Sequence, residues 1–168
     1  LWPVDQQCER LAAARAAADR SGARFVLNAR TDVFLAAVGA AEEREGMVLA
    51  RAEEYLRAGA DCLFVPGLID LELIARLVTR CPLPLNIMLA PGRGPSIAQL
   101  TAAGVRRISV GHTIAGAAYA AVRLATAQLL AGEDLVLRDG IRHPEMQALM
   151  ATPTGGAGQS SSRSKAGV

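Results

Sequence analysis

The chain has 168 residues, 18 of them basic and 16 acidic, for a formal net charge of +2, and only 4% are aromatic. This is long enough for one domain with a real core. The balance argues against a nucleic-acid protein, which would carry a basic stripe and rings for base stacking. Cys8, Cys62 and Cys81 are odd in number and show no CxxC or Cys/His zinc spacing; Cys62 and Cys81, in or beside apolar runs, read as small buried hydrophobes, and a reducing cytoplasm is the expected setting.

In chain order, Asp5 can cap a helix to about Arg20, with Gly22 as its stop. The apolar run Arg24 to Asn28 reads as the first strand, followed by a loop through Arg30, Thr31 and Asp32. A helix from about Glu42 to Ala58 ends at Gly59. The second strand is Asp61 to Val65, stopped by Pro66 and Gly67. Asp70 caps a helix to Arg80, and Leu83 to Met88 form the third strand. After the loop Pro91–Pro95, Ser96 opens a helix to Ala103. Arg106 to Val110 is the fourth strand, and a long Ala-rich helix runs from Thr113 to Leu130. The longest uncharged run, 108–122, is short of the ~20 residues a bilayer span needs, and nothing reads as a signal peptide; no membrane partner is expected. Past Asp134 the pattern weakens. Pro144 to Met150 can form one short helix, and 152–168 is Gly/Ser-rich and expected to be disordered. Three parts follow: 1–134 α/β, 135–151 a helical extension, and 152–168 a tail. Strands alternating with helices imply parallel βαβ units, and polar residues just past a strand's C-terminal end are where such folds place chemistry.

Asn28-Ala29-Arg30-Thr31-Asp32 resembles the isocitrate lyase / phosphoenolpyruvate mutase superfamily. The segments Arg51–Asp61, Phe64–Gly67, Pro84–Met88 and Gly104–Gly111 support the resemblance in the same order, over residues 1 to about 131. The resemblance implies the second half, strands five to eight, of a TIM-type (β/α)8 barrel. It implies an enzyme that cleaves or forms C–C or P–C bonds in small 2-oxo or hydroxy carboxylic acids, with Mg²⁺ as cofactor. It also implies a homo-oligomer, a tetramer or dimer, with a helix after the eighth strand swapped between subunits. The start at Leu1 rather than Met points the same way, to residues upstream.

Arg30 is the leading catalytic and substrate-binding candidate. Its planar, permanently charged guanidinium matches a carboxylate through two parallel hydrogen bonds, and the matching family Arg contacts the substrate carboxylate or the oxyanion formed in the reaction. The plain alternative is a loop salt bridge between Arg30 and Asp32. Asn28 and Asp32 are expected to orient Arg30, with Asn28 close to substrate. Asn86 ends the third strand, and the resemblance makes it a ligand for a carboxylate; turn chemistry is the alternative. His112, near the fourth strand's end, can line the cleft, while His143 reads as surface. Pro91–Ser96 precedes a helix N-terminus and could hold an anion on backbone N–H groups, although an ordinary loop is favoured.

Several family features are missing. A Glu of some lyases is replaced by Pro66-Gly67, and an Arg of many members falls near Gly116. No Asp-x-Asp strand end and no Lys/Cys/Gly gating motif occurs, so Mg²⁺ has no ligand set here and the chain is expected to be inactive alone. Two other readings stand beside this one: a non-catalytic half-barrel that pairs with itself, and a phosphate-binding barrel enzyme using the Gly92–Ser96 loop. A flavodoxin-like domain is disfavoured, because the first strand lacks a Gly-rich loop.

Overall fold

A computed structural model describes residues 1–133 and 140–151; the expected tail at 152–168, and part of the expected extension, lie outside the described residues. Helices and strands alternate as α1 Val4–Ser21, β1 Asn28–Arg30, α2 Arg44–Arg57, β2 Cys62–Val65, α3 Leu71–Arg80, β3 Leu85–Met88, α4 Ile97–Ala102, β4 Arg107–Ser109, α5 Thr113–Leu130 and α6 His143–Met150. A 3-10 turn, Ala41–Glu43, leads into α2. The four strands form one parallel sheet in the order β1-β2-β3-β4. Sequence order kept as spatial order, with a helix between each pair, is the βα repeat of barrel folds; a doubly wound sheet reverses its order at a switch point. Two compact units divide within α5, one from Leu1 to Ala115 and one beginning at Gly116.

Local chemistry explains the helix ends. Asp70 accepts a 3.0 Å hydrogen bond from the Leu73 amide and caps α3. Ser96 and Gln99 cap α4 reciprocally: the Gln99 amide donates to Ser96 Oγ, and the Ser96 amide to Gln99 Oε1. Gly22 closes α1 in the left-handed conformation at φ 68°. Asp5 is not a cap: Pro3 takes that position, and Asp5 sits in the first turn, where its charge complements the helix dipole.

One face of the sheet builds the core. Ala29, Leu63, Val65, Leu85 and Ile87 pack with Leu11 of α1, Val48, Ala52 and Tyr55 of α2, Ile74 and Leu77 of α3, and Leu100 of α4. A fully buried Leu or Ile side chain contributes about 1.5–3 kcal/mol. Across the surface of this layer, Glu45 of α2 pairs with both Arg76 and Arg80 of α3; such exposed pairs contribute about 0.2–1 kcal/mol each.

The first strand is displaced from its expected place. The ladder begins at Asn28, and Phe25 and Val26 are 56% and 61% exposed. Asp61 is the physical reason. Its Oδ2 accepts the Leu27 amide at 2.7 Å and the Arg15 guanidinium at 3.1 Å, so a side chain takes the place of a strand partner ahead of Asn28. Arg30 is therefore the last residue of the strand, not a loop residue.

The cysteines are free, with Cys62 buried and Cys8 and Cys81 half-buried. Burial pushes the Cys62 and Cys81 thiols above the ordinary value of 9.0. Because the folded-state value is the higher one, the unfolded chain loses thiol protons first as pH rises. Stability is fully present below 9.0 and falls as pH climbs toward the folded value. Urea midpoints measured across this alkaline window should drop more steeply for the native chain than for Cys62→Ala; equal slopes would remove Cys62 as the cause.

In the second unit, Tyr119, Val122, Leu124, Leu129 and Leu130 of α5 are exposed, as are Met146, Leu149 and Met150 of α6. By length and composition alone, α5 is long and apolar enough to cross a membrane, further than the run ending at Val122 suggests, although it includes Arg123. At 1.5 Å per residue it measures about 27 Å, and helices that pack in soluble assemblies share its composition.

Candidate active site

The sheet face turned away from the core carries different residues. The strand registers place Arg30, Phe64, Asn86 and Arg107 in one row across β1 to β4. Asn28 and Cys62 form the row on its N-terminal side, and Met88 and Ser109 the row on its C-terminal side. At the usual spacing of ~4.8 Å between strands, the row is about 14 Å long.

Arg30 and Arg107 are the two exposed ends of this row. The Nε of Arg30 donates to Asp32 Oδ1 at 2.6 Å, with the two side chains 51% and 37% exposed. Its guanidinium carbon lies 5.7 Å from the centroid of the Phe64 ring, a geometry that steers a cation over an aromatic face. The Arg30–Asp32 salt bridge is thus present, and it leaves room for function. Only Nε is committed; the two terminal nitrogens have no hydrogen-bond partner among the described residues. Asp32 fixes the guanidinium plane, and the open side of the fork can take two oxygens.

Asn86 is the second residue of β3 rather than its end, which is Met88, and it is fully buried. Its Oδ1 accepts the Ser109 hydroxyl at 3.0 Å, while Nδ2 is buried without a partner. A buried unsatisfied donor costs about 1–3 kcal/mol, which makes it a place for an acceptor to bind. Asn28 makes no hydrogen bond to Arg30; its Oδ1 is also buried and unpartnered, as is Thr31 Oγ1. Orientation of Arg30 therefore falls to Asp32. Arg107 is the residue that the sequence reading passed over. Alternation along Arg107-Ile108-Ser109, with Ile108 packed against the core, would have placed it on the same face as Asn86.

His112 is not on this row. It lines a cavity of about 140 Å³ with Met88, Arg93, Val110 and Thr113. In the loop before α4, the Ser96–Gln99 box occupies the amides of Ser96 and Gln99. His143 opens α6 and is exposed.

Magnesium does not fit the residues present. Among the described residues no group of three or more His, Cys, Asp or Glu side chains could hold a metal ion, and Asp32 already spends an oxygen on Arg30.

A parallel sheet in sequence order, with a helix between each pair of strands, is an α/β fold consistent with a TIM-barrel-like superfamily. The chain belongs to the phosphoenolpyruvate phosphomutase family, whose model matches residues 1–130. It is similar to a Burkholderia cenocepacia protein assigned as a phosphonomutase, at 43% identity over 76% of this chain and 52% of that one, with a TM-score of 0.70. It is similar to 2,3-dimethylmalate lyase, a member of the PEP mutase/isocitrate lyase superfamily, at 31% identity over 78% and 45%, TM-score 0.65. It also resembles oxaloacetate acetylhydrolase in complex with its product oxalate, at 28% identity over 77% and 44%, TM-score 0.66. The chain spans about half the length of these solved relatives. The superfamily comprises mutases and lyases acting on small carboxylic acids.

Proposed function

We propose that this chain supplies strands five to eight of a (β/α)8 barrel enzyme that makes or breaks a C–C or P–C bond beside the carboxylate of a small 2-oxo or 2-hydroxy acid. One observation carries the reading: the Arg30–Asp32 pair ends β1 on the face turned away from the core, in one row with Phe64 and Asn86. The free nitrogens of Arg30 bind the substrate carboxylate or the enolate oxygen, and Nδ2 of Asn86 donates to a second oxygen. Bond cleavage beside a carbonyl leaves its electron pair as an enolate, and fixed positive charge stabilises that oxygen. Magnesium and the groups that start the bond cleavage are assigned to the first half of the barrel. The complete protein is proposed to be a cytoplasmic homo-oligomer that takes a small carboxylate and neither nucleic acid nor membrane.

Turnover by a complete barrel carrying these residues tests this, with proton and phosphorus NMR on a panel of 2-hydroxy dicarboxylic acids and 3-phosphono 2-oxo acids. Release of a 2-oxo acid assigns C–C chemistry, and rearrangement of the phosphonate assigns P–C chemistry. A panel left wholly unreacted counts against the reading.

A second reading rests on the sheet edges. Among the described residues β1 and β4 each pair on one side only, and unpaired edges associate. Alone, the chain is then expected to sediment as a symmetric dimer, with β1 and β4 amides protected from hydrogen exchange. A monomer with exchanging edges removes this reading.

A further inference from the structure

We infer that Arg44 is a positioning residue for the Arg30–Asp32 pair: from the start of α2 it gathers the carbonyls that end the turn after β1, and so fixes the backbone from which Asp32 reaches Arg30. This role rests on the proposed function for the chemistry that Arg30 performs, while the hold on Asp32 is read without turnover.

The segment after β1 is one helical turn with a sharp stop. Asp32 begins it, its carbonyl accepting the Ala36 amide at 2.9 Å. At the far end the Ala37 amide donates to the Phe34 carbonyl at 3.2 Å, and the Val38 amide to the Val33 carbonyl at 2.9 Å. Two such bonds close a helix on a left-handed residue, a position that glycine ordinarily takes because a Cβ crowds the backbone there. Here the residue is Ala37, at φ 47°, the only described residue other than glycine with a positive φ. A conformation of this kind persists only where its surroundings over-determine it.

Arg44 supplies the restraint. Its Nη2 donates to the carbonyls of Ala37 at 3.2 Å and Gly39 at 3.1 Å, and its Nε to that of Val38 at 3.2 Å. Three successive carbonyls thus turn to one guanidinium, and among the described residues no carboxylate pairs with it. The placement runs against the helix dipole. Arg44 is the first residue of α2, where a cation is disfavoured, and the three carbonyls, each the negative end of a peptide dipole, account for its standing there. Val33, fully buried, anchors the near end of the turn. Ala37 and Gly39 are exposed, so the far end depends on Arg44. Asp32 carries the effect to the site: its carbonyl belongs to the turn and its carboxylate accepts Arg30 Nε at 2.6 Å. A turn that unwinds moves that carboxylate and frees the guanidinium plane.

The first test uses the whole 168-residue chain. The Arg30 Nε–H, held on Asp32, should give a distinct, slowly exchanging resonance by nitrogen-15 NMR, assigned by its absence in Arg30→Lys. Arg44→Gln should lose that resonance or move it to the position found in Asp32→Asn. Arg57→Gln, which cuts a surface pair with Glu54 at the other end of α2, should leave it unmoved. Ala37→Gly added to Arg44→Gln should restore it, because glycine holds a positive φ without a clamp. In a complete barrel, Arg44→Gln should lower kcat about tenfold with KM little changed, the mark of misplaced chemistry rather than lost binding. Adding Asp32→Asn should lower kcat hardly further, because the two residues act on one geometry. A native chain without the held resonance, a resonance indifferent to Arg44→Gln, no restoration by Ala37→Gly, or losses from Arg44→Gln and Asp32→Asn that multiply in full overturns the inference. Failure of the proposed function is read separately, as turnover in the complete barrel indifferent to Arg30 while the resonance still answers to Arg44.

Discussion

Arg30→Ala in a complete barrel should lower kcat by about 10²-fold or more, the scale of removing one donor aimed at a developing oxyanion. The fold should survive. Arg30 is half exposed, and its ion pair with Asp32 lies at the surface, where such pairs contribute about 0.2–1 kcal/mol. Circular dichroism and the urea midpoint should therefore stay nearly constant while turnover collapses. Arg30→Lys separates charge from shape. It keeps the positive charge but lacks both Nε, which Asp32 holds, and the planar fork that matches two oxygens, so its rate should fall between those of Ala and the native residue. Asp32→Asn should act on the same step more weakly, by leaving the guanidinium plane free to turn. Near-native turnover of Arg30→Ala would falsify the role given to this residue.

Gly67→Ala should destabilise the fold by about 2–4 kcal/mol, combining a left-handed backbone with overpacking. Gly67 has φ +83°, and a Cβ there would stand 2.7 Å from the backbone N and Cα of Leu35. Neither atom can swing aside as a flexible side chain would, so the segment after β1 must move. That segment follows Asp32 directly and, through Phe34 and Leu35, lines a cavity of about 230 Å³. Gly92→Ala is the matched control. Its φ is +76°, yet nothing lies within 4 Å of its would-be Cβ, and it should cost about 1–2 kcal/mol from the conformation alone. Equal urea midpoints for the two variants would mean that the close approach at Leu35 carries no energy.

Much of this architecture was legible because it rests on local chemistry. Asp70 and Ser96 announce their caps by residue type. Gly22 stops its helix by tolerating a left-handed backbone. The apolar runs of the second and third strands end where the ladder ends, at Val65 and Met88. The first strand was misplaced because hydrophobicity cannot show that a carboxylate 34 residues away captures the Leu27 amide. The candidate site was half visible. Arg30, Asp32 and Asn86 stand out as polar interruptions of apolar runs, whereas Arg107 joins their row only through the register of β3 with β4.

The two faces of the sheet make unlike demands on whatever lies against them. Opposite Leu63, Val65 and Ile87 a neighbour need only have the right volume, and one hydrocarbon replaces another at modest cost. Opposite Asn28, Asn86 and Arg107 volume is not enough, because Nδ2 of Asn86 waits for an acceptor and Oδ1 of Asn28 for a donor. An aliphatic group laid there would seal both unsatisfied. Substitutions that touch this layer should therefore sort by hydrogen-bonding capacity rather than by size, and a random library at contacting positions should return polar residues even where the space is closed to water.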